Sequence, residues 1–134
     1  MLYIALAAVA GILLLQATGL IPLASVGGSL MIGLAFLMSA LVVGVHEAWT
    51  RKRGVLGWIV NIVASFVGAL IGAQAGGFVM VMLIGAVMDV DGSLARTGGI
   101  AMSAALAGGM LFTLFGAWAA LWLVNRLRRA PTAA

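Results

Sequence analysis

The sequence predicts an all-α polytopic membrane protein, with four transmembrane helices and an extra apolar half-segment after the third. Composition is the first observation behind this. Of 134 residues, 65% are hydrophobic and 7% are charged, whereas a soluble domain carries about 25% charged side chains. Mean hydropathy is +1.27, so the chain lacks the polar side chains to cover a water-facing surface. The second observation is that the charges fall in three short clusters: Glu47, Arg51, Lys52 and Arg53; Asp89, Asp91 and Arg96; Arg126, Arg128 and Arg129. The third is the length of the uncharged blocks between them, residues 1–46, 54–88 and 97–125. Together these exclude a soluble enzyme, a secreted disulfide scaffold, a disordered tail and a nucleic-acid-binding domain. The absence of cysteine removes disulfides, thiolate nucleophiles and thiolate metal sites.

Crossing a hydrocarbon core of roughly 30 Å takes about 20 helical residues. Backbone polar groups in lipid must be satisfied within their own segment, so each crossing is expected to be an α-helix. The first block has room for two crossings and a turn, the second for one crossing with residues to spare, and the third for one. The expected helices are 2–23, 26–45, 55–75 and 99–124, in a single transmembrane domain that ends in a basic tail, 125–134. A short turn near Gly27 and Gly28 joins the first two. Pro22 ends or kinks the first, since proline lacks the donor a helix interior needs. The first helix has no basic leader and its apolar stretch is longer than a signal-peptide core, so it is read as a membrane helix.

Residues 78–88, FVMVMLIGAVM, are apolar all round and would rise only about 16 Å as a helix, half a bilayer. They are read as a bent or extended continuation of the third helix, with Gly76–Gly77 at the bend. Lys and Arg remain on the cytoplasmic side of short loops. Arg51, Lys52 and Arg53 should therefore share a side with Arg126, Arg128 and Arg129, which two intervening crossings satisfy. This places both termini in the cytoplasm of a bacterial inner membrane. Trp49, Trp58, Trp118 and Trp122 flank the basic clusters at the depth indole rings favour. The six basic residues are expected to meet anionic lipid headgroups.

The strongest local pattern is glycine at four-residue spacing: Gly68, Gly72 and Gly76, extended one turn earlier by Ala64. Beside it runs a second row of Gly57, Asn61, Ser65, Ala69 and Ala73. Residues four apart share a helix face, so this helix has a broad face almost without bulk. The last helix has Ala101, Ala105, Gly109, Thr113 and Ala117, with Ala104 and Gly108 alongside. Lipid tails are as apolar as leucine, so close backbone approach drives helix association in a bilayer. These faces are expected to make a tight helix–helix contact, within one chain or between chains.

Chemistry-bearing groups are sparse. No Asp, Glu or His lies at mid-helix depth, where ion-coupled transporters place one. Asn61 and Ser65, one turn apart, are read as an interhelical hydrogen-bonding pair or as the lining of a small polar path. His46-Glu47 starts like a zinc-protease helix, but position 50 is Thr and no second histidine exists, so no metal centre is expected. His46 and Glu47 are read as an interfacial pair. Asp89-Val-Asp91-Gly92 lacks the later ligands of a calcium loop and is read as a solvated turn. The methionines are read as packing residues. No cofactor is expected.

The stretch GVLGWIVNIVASFVGALIGAQAGG, followed later by LFTLFGAWAALWLVNRLRR, resembles the transglycosylase-associated family of small bacterial membrane proteins. That family carries a glycine-rich helix of pattern G-N-I-V-x-x-x-x-G-A-x-x-G-G and ends in an apolar helix with a basic tail. Asn61, Ile62, Val63, Gly68, Ala69 and Gly72 match it. The resemblance covers about half the chain. It departs in two extra N-terminal helices and a longer segment between the matching parts, and it implies no particular chemistry.

The expected function is that of a non-enzymatic membrane protein acting by helix association, as a homo-oligomer or an accessory subunit of a membrane complex. Its expected partners are membrane lipids and itself or other membrane subunits, with no nucleic acid. The alternative is a small channel or transporter with a polar path near Asn61 and Ser65.

Overall fold

The computed structural model describes residues 2–21, 26–52, 54–87 and 99–128. These form four α-helices: α1, Leu2–Ala17; α2, Val26–Thr50; α3, Val55–Val87; and α4, Gly99–Leu127. Three of them, α2, α3 and α4, are long and apolar enough to cross a membrane. With 16 residues, α1 rises about 24 Å, short of a core of roughly 30 Å.

Contacts between helices establish an up-down-up-down order. Gln16 near the end of α1 meets Ser103 near the start of α4, while Ile4 and Ala5 lie with Phe115 and Trp118. Ser65 of α3 reaches Ala40 of α2. Along the α3–α4 pair, Gly68 faces Gly116, Gly76 faces Phe112 and Met80 faces Gly108. The α3–α4 contact is the most extensive; α2 packs on both helices, and α1 packs on α4 and α2. The shared core holds Ile12, Ala40, Val43, Met110, Ala117 and Leu121, all buried.

Helix ends differ from the sequence reading, and local chemistry explains how. α1 stops at Ala17 instead of residue 23. Gly19 takes a left-handed φ of 69°, and its N–H donates to the Gln16 carbonyl at 3.1 Å, a glycine C-cap. Pro22 lies outside the described residues. Gly27 and Gly28 belong to the first turn of α2, not to a connecting turn. α2 runs five residues past its expected end, to Thr50, before Lys52 turns left-handed with φ 47°.

The third helix passes through Gly76 and Gly77 without a break and continues to Val87. Its 33 residues rise about 50 Å, roughly 20 Å more than a hydrocarbon core. α4 supports the added length, because Met80 packs on Gly108 and Ile84 is buried. Met88, Asp89, Asp91 and Arg96 lie outside the described residues.

Candidate functional site

Backbone meets backbone where α3 crosses α4. A Cβ added at Gly68 would lie 2.9 Å from the carbonyl carbon of Gly116, and one at Gly116 would lie 2.8 Å from Cα of Gly72. One at Gly72 would come within 3.1 Å of Cα of Gly116. A turn further along, a Cβ at Gly76 would sit 2.7 Å from Cγ of Phe112. None of these positions has room for a side chain, so the three spaced glycines of α3 serve a contact within the chain. The α4 surface they meet is Phe112, Gly116 and Ala120, continued by Gly108 against Met80, not the row Ala101, Ala105, Gly109, Thr113 and Ala117. That second row turns toward the rest of the bundle: Gly109 faces the Phe36 ring of α2, and Ala101, Thr113 and Ala117 are buried. Gly57, Ala64 and Ala105 are half-buried.

On the inner side of α3 the polar residues are sealed. Ser65 and Asn61 are both fully buried. The Ser65 hydroxyl donates to the Ala40 carbonyl at 2.6 Å. Gly44 makes room for this: a Cβ there would lie 3.1 Å from both Cα of Ile62 and Cβ of Ser65. Among the described residues neither Oδ1 nor Nδ2 of Asn61 finds a hydrogen-bond partner. Elsewhere Thr113 returns its hydroxyl to the Gly109 carbonyl at 2.7 Å, and Ser103 donates to Gln16 at 3.2 Å, tying α4 to α1.

At the end where α2 and α4 finish, charged and aromatic side chains enclose a cavity of about 240 Å³. Glu47 lines it. Its carboxylate accepts from Nε of Arg51, one turn along α2, and from Nδ2 of Asn125 on α4 at 2.9 Å. The Arg126 guanidinium lies 5.2 Å from the centroid of the Trp122 ring, within cation–π range. Trp118 and Leu121 complete the wall. The two basic clusters are therefore at one end of the bundle. Arg51, Lys52, Arg126 and Arg128 are exposed there; Arg53 and Arg129 lie outside the described residues.

Comparison with family models, curated proteins and solved structures finds no match to this chain.

His46 and Glu47 both lie near the end of α2, with their side chains apart. His46 is exposed and gives only its main-chain carbonyl, to the Thr50 hydroxyl at 2.7 Å, while Glu47 turns to Arg51 and Asn125. Neighbours in sequence on a helix point about 100° apart, so adjacent residues do not face each other. Asn125 opens the basic tail 125–134 and reads as part of it, so the sequence does not single it out. Gly116 sits outside the row that starts at Ala101 and belongs to the one that runs from Gly108 in steps of four. Among the described residues no three His, Asp or Glu side chains come together.

Proposed function

We propose that this chain is a non-enzymatic integral membrane protein that acts by helix association, as a homo-oligomer or as an accessory subunit of a membrane complex. The observation that carries this reading is a groove of about 480 Å³ walled by α3 and α4 alone. Its small lining residues, among them Gly68, Gly72, Ala75, Gly116 and Ala119, lie between the larger Ile71, Phe112, Phe115 and Leu123, and among the described residues none from α1 or α2 lines it. In lipid such a hollow, with the exposed Ile71, Phe115 and Leu123 beside it, can receive the side chains of another helix, and dispersion then holds the two together. A bacterial inner membrane with both chain ends in the cytoplasm suits the basic end formed by α2 and α4. The likeness of the α3 stretch to the transglycosylase-associated family agrees with a small membrane protein and adds no activity.

The lack of cysteine makes the test direct. Ala75→Cys and Ala119→Cys are expected to give crosslinked dimers or a crosslinked partner in native membranes, and Val42→Cys on the exposed face of α2 is expected to give neither. A clean monomer from all three, with no co-purifying protein in mild detergent, overturns the reading.

A second reading, a small channel or transporter with its path by Asn61 and Ser65, draws on one observation: the buried amide of Asn61 has no partner among the described residues. Liposome flux abolished by Asn61→Leu would favour it, and unchanged or absent flux removes it.

A further inference from the structure

The geometry points to a binding site for one anionic phospholipid, with its phosphodiester in the cavity between the ends of α2 and α4 and an acyl chain in the groove that continues from it. This goes beyond helix association and does not depend on it. The cavity presents two guanidinium groups, Arg51 and Arg126, against one carboxylate, Glu47, and so favours an anion. Glu47 is held by Asn125 and takes only the Nε–H of Arg51, leaving the terminal nitrogens of that side chain as donors. Among the described residues Arg126 has no carboxylate partner. A guanidinium presents a planar fork that fits two oxygens of a phosphate at once.

Trp118 belongs both to this cavity and to the apolar groove beside it. That groove, about 390 Å³, runs between α1 and α4 along Phe115, Leu114 and Leu111 and is almost wholly apolar. From Leu111 to Arg126 the helix rises about 22 Å, which is half of a bilayer roughly 40–45 Å thick with its headgroups. The polar cavity and the apolar groove are thus spaced as the head and chain of a lipid in one leaflet. Generic attraction to a charged surface needs only exposed basic residues. Here the charges line a walled cavity, and a tryptophan joins it to a chain-sized groove.

The test uses the full chain in phosphatidylcholine nanodiscs containing a minor fraction of phosphatidylglycerol. Native mass spectrometry should show retained phosphatidylglycerol, with retention falling roughly fivefold in Arg51→Gln and in Arg126→Gln. Arg128→Gln, exposed and outside the cavity, removes only generic attraction and should lower retention by clearly less than either. A second readout leaves the cavity intact. In a Trp49→Phe/Trp58→Phe background, acyl-brominated phosphatidylglycerol should quench Trp118 and Trp122 more than brominated phosphatidylcholine at equal mole fraction. Free glycerol phosphate should not relieve that quenching. Equal quenching by the two lipids overturns the site. So does a loss in Arg128→Gln as large as in Arg126→Gln. Relief by glycerol phosphate would make it a site for free anions and overturns the lipid assignment.

Discussion

Ser65 on α3 donates a 2.6 Å hydrogen bond to the main-chain carbonyl of Ala40 on α2, and neither residue has exposed surface. The bond joins two helices at a place where Gly44 lets their backbones approach. Interhelical hydrogen bonds in membranes average only about 0.6 kcal/mol, because the unfolded chain in lipid finds partners too. Ser65→Ala is therefore expected to lower stability by less than about 1 kcal/mol. Ser65→Leu should cost about 1–3 kcal/mol through overpacking. Denaturation in mixed micelles with rising SDS measures both; equal losses would show that the hydroxyl, and not the available space, governs the site.

Glycines on α3 and α4 should divide into two classes. Gly116→Ala places a methyl against Gly72 and is expected to destabilise by about 1–3 kcal/mol. Gly77→Ala and Gly85→Ala meet nothing within 4 Å, and each should stabilise by roughly 0.5–1 kcal/mol through helix propensity. Thermal unfolding of the three variants checks the division. A harmless Gly116→Ala would mean that the helices do not cross at that residue.

Asn61 carries a fully buried amide that bonds to none of the described residues. Replacing a buried polar group that has no partner by an apolar one of similar volume removes a desolvation cost of about 1–3 kcal/mol. Asn61→Leu is expected to leave stability unchanged or to raise it, as read by the same SDS titration. A loss above about 2 kcal/mol would reveal a partner for the amide, since removing one side of a buried hydrogen bond carries that penalty.

The Glu47–Asn125 bond ties the end of α2 to the end of α4. Asn125→Leu should loosen both ends by about 1.5–3 kcal/mol, the range for hydrogen bonds to charged groups. Amide hydrogen exchange is expected to accelerate over residues 46–52 and 121–128 while the α3–α4 crossing stays protected. Unchanged exchange at the end of α2 would mean that Glu47 holds this end through Arg51 alone.

Gly19 ends α1 in a left-handed conformation, whereas Gly11 inside the same helix has open space around it. Gly19→Ala should destabilise by about 1 kcal/mol, and Gly11→Ala should stabilise by a similar amount. Thermal scans of the two single variants check the opposite signs.

Much of the architecture was legible in advance. The apolar blocks between charge clusters located α2, α3 and α4, and the four-residue spacing of Gly68, Gly72 and Gly76 identified the face of α3 that lies against another helix. Ends were less legible. Gly19 and Lys52 stop their helices through left-handed backbone, whereas Pro22 and the Gly27–Gly28 pair are the stronger breakers by residue type. Of the cavity at the basic end, Arg51 and Arg126 could be singled out as charges. Asn125 and the role of Glu47 could not, because their meaning comes from a partner 78 residues away in sequence.

Composition and charge spacing were sufficient to locate long apolar helices fit to cross a membrane and to suggest which helix surfaces lack bulk, since both follow from the cost of exposing polar groups to lipid. Which surface faces which followed from packing. Gly116 closes the crossing and Asn125 captures Glu47 because rotating one long helix about its axis exchanges one four-residue row for its neighbour. Apolar residues all round the helix leave that rotation undetermined until backbones and side chains fit in three dimensions.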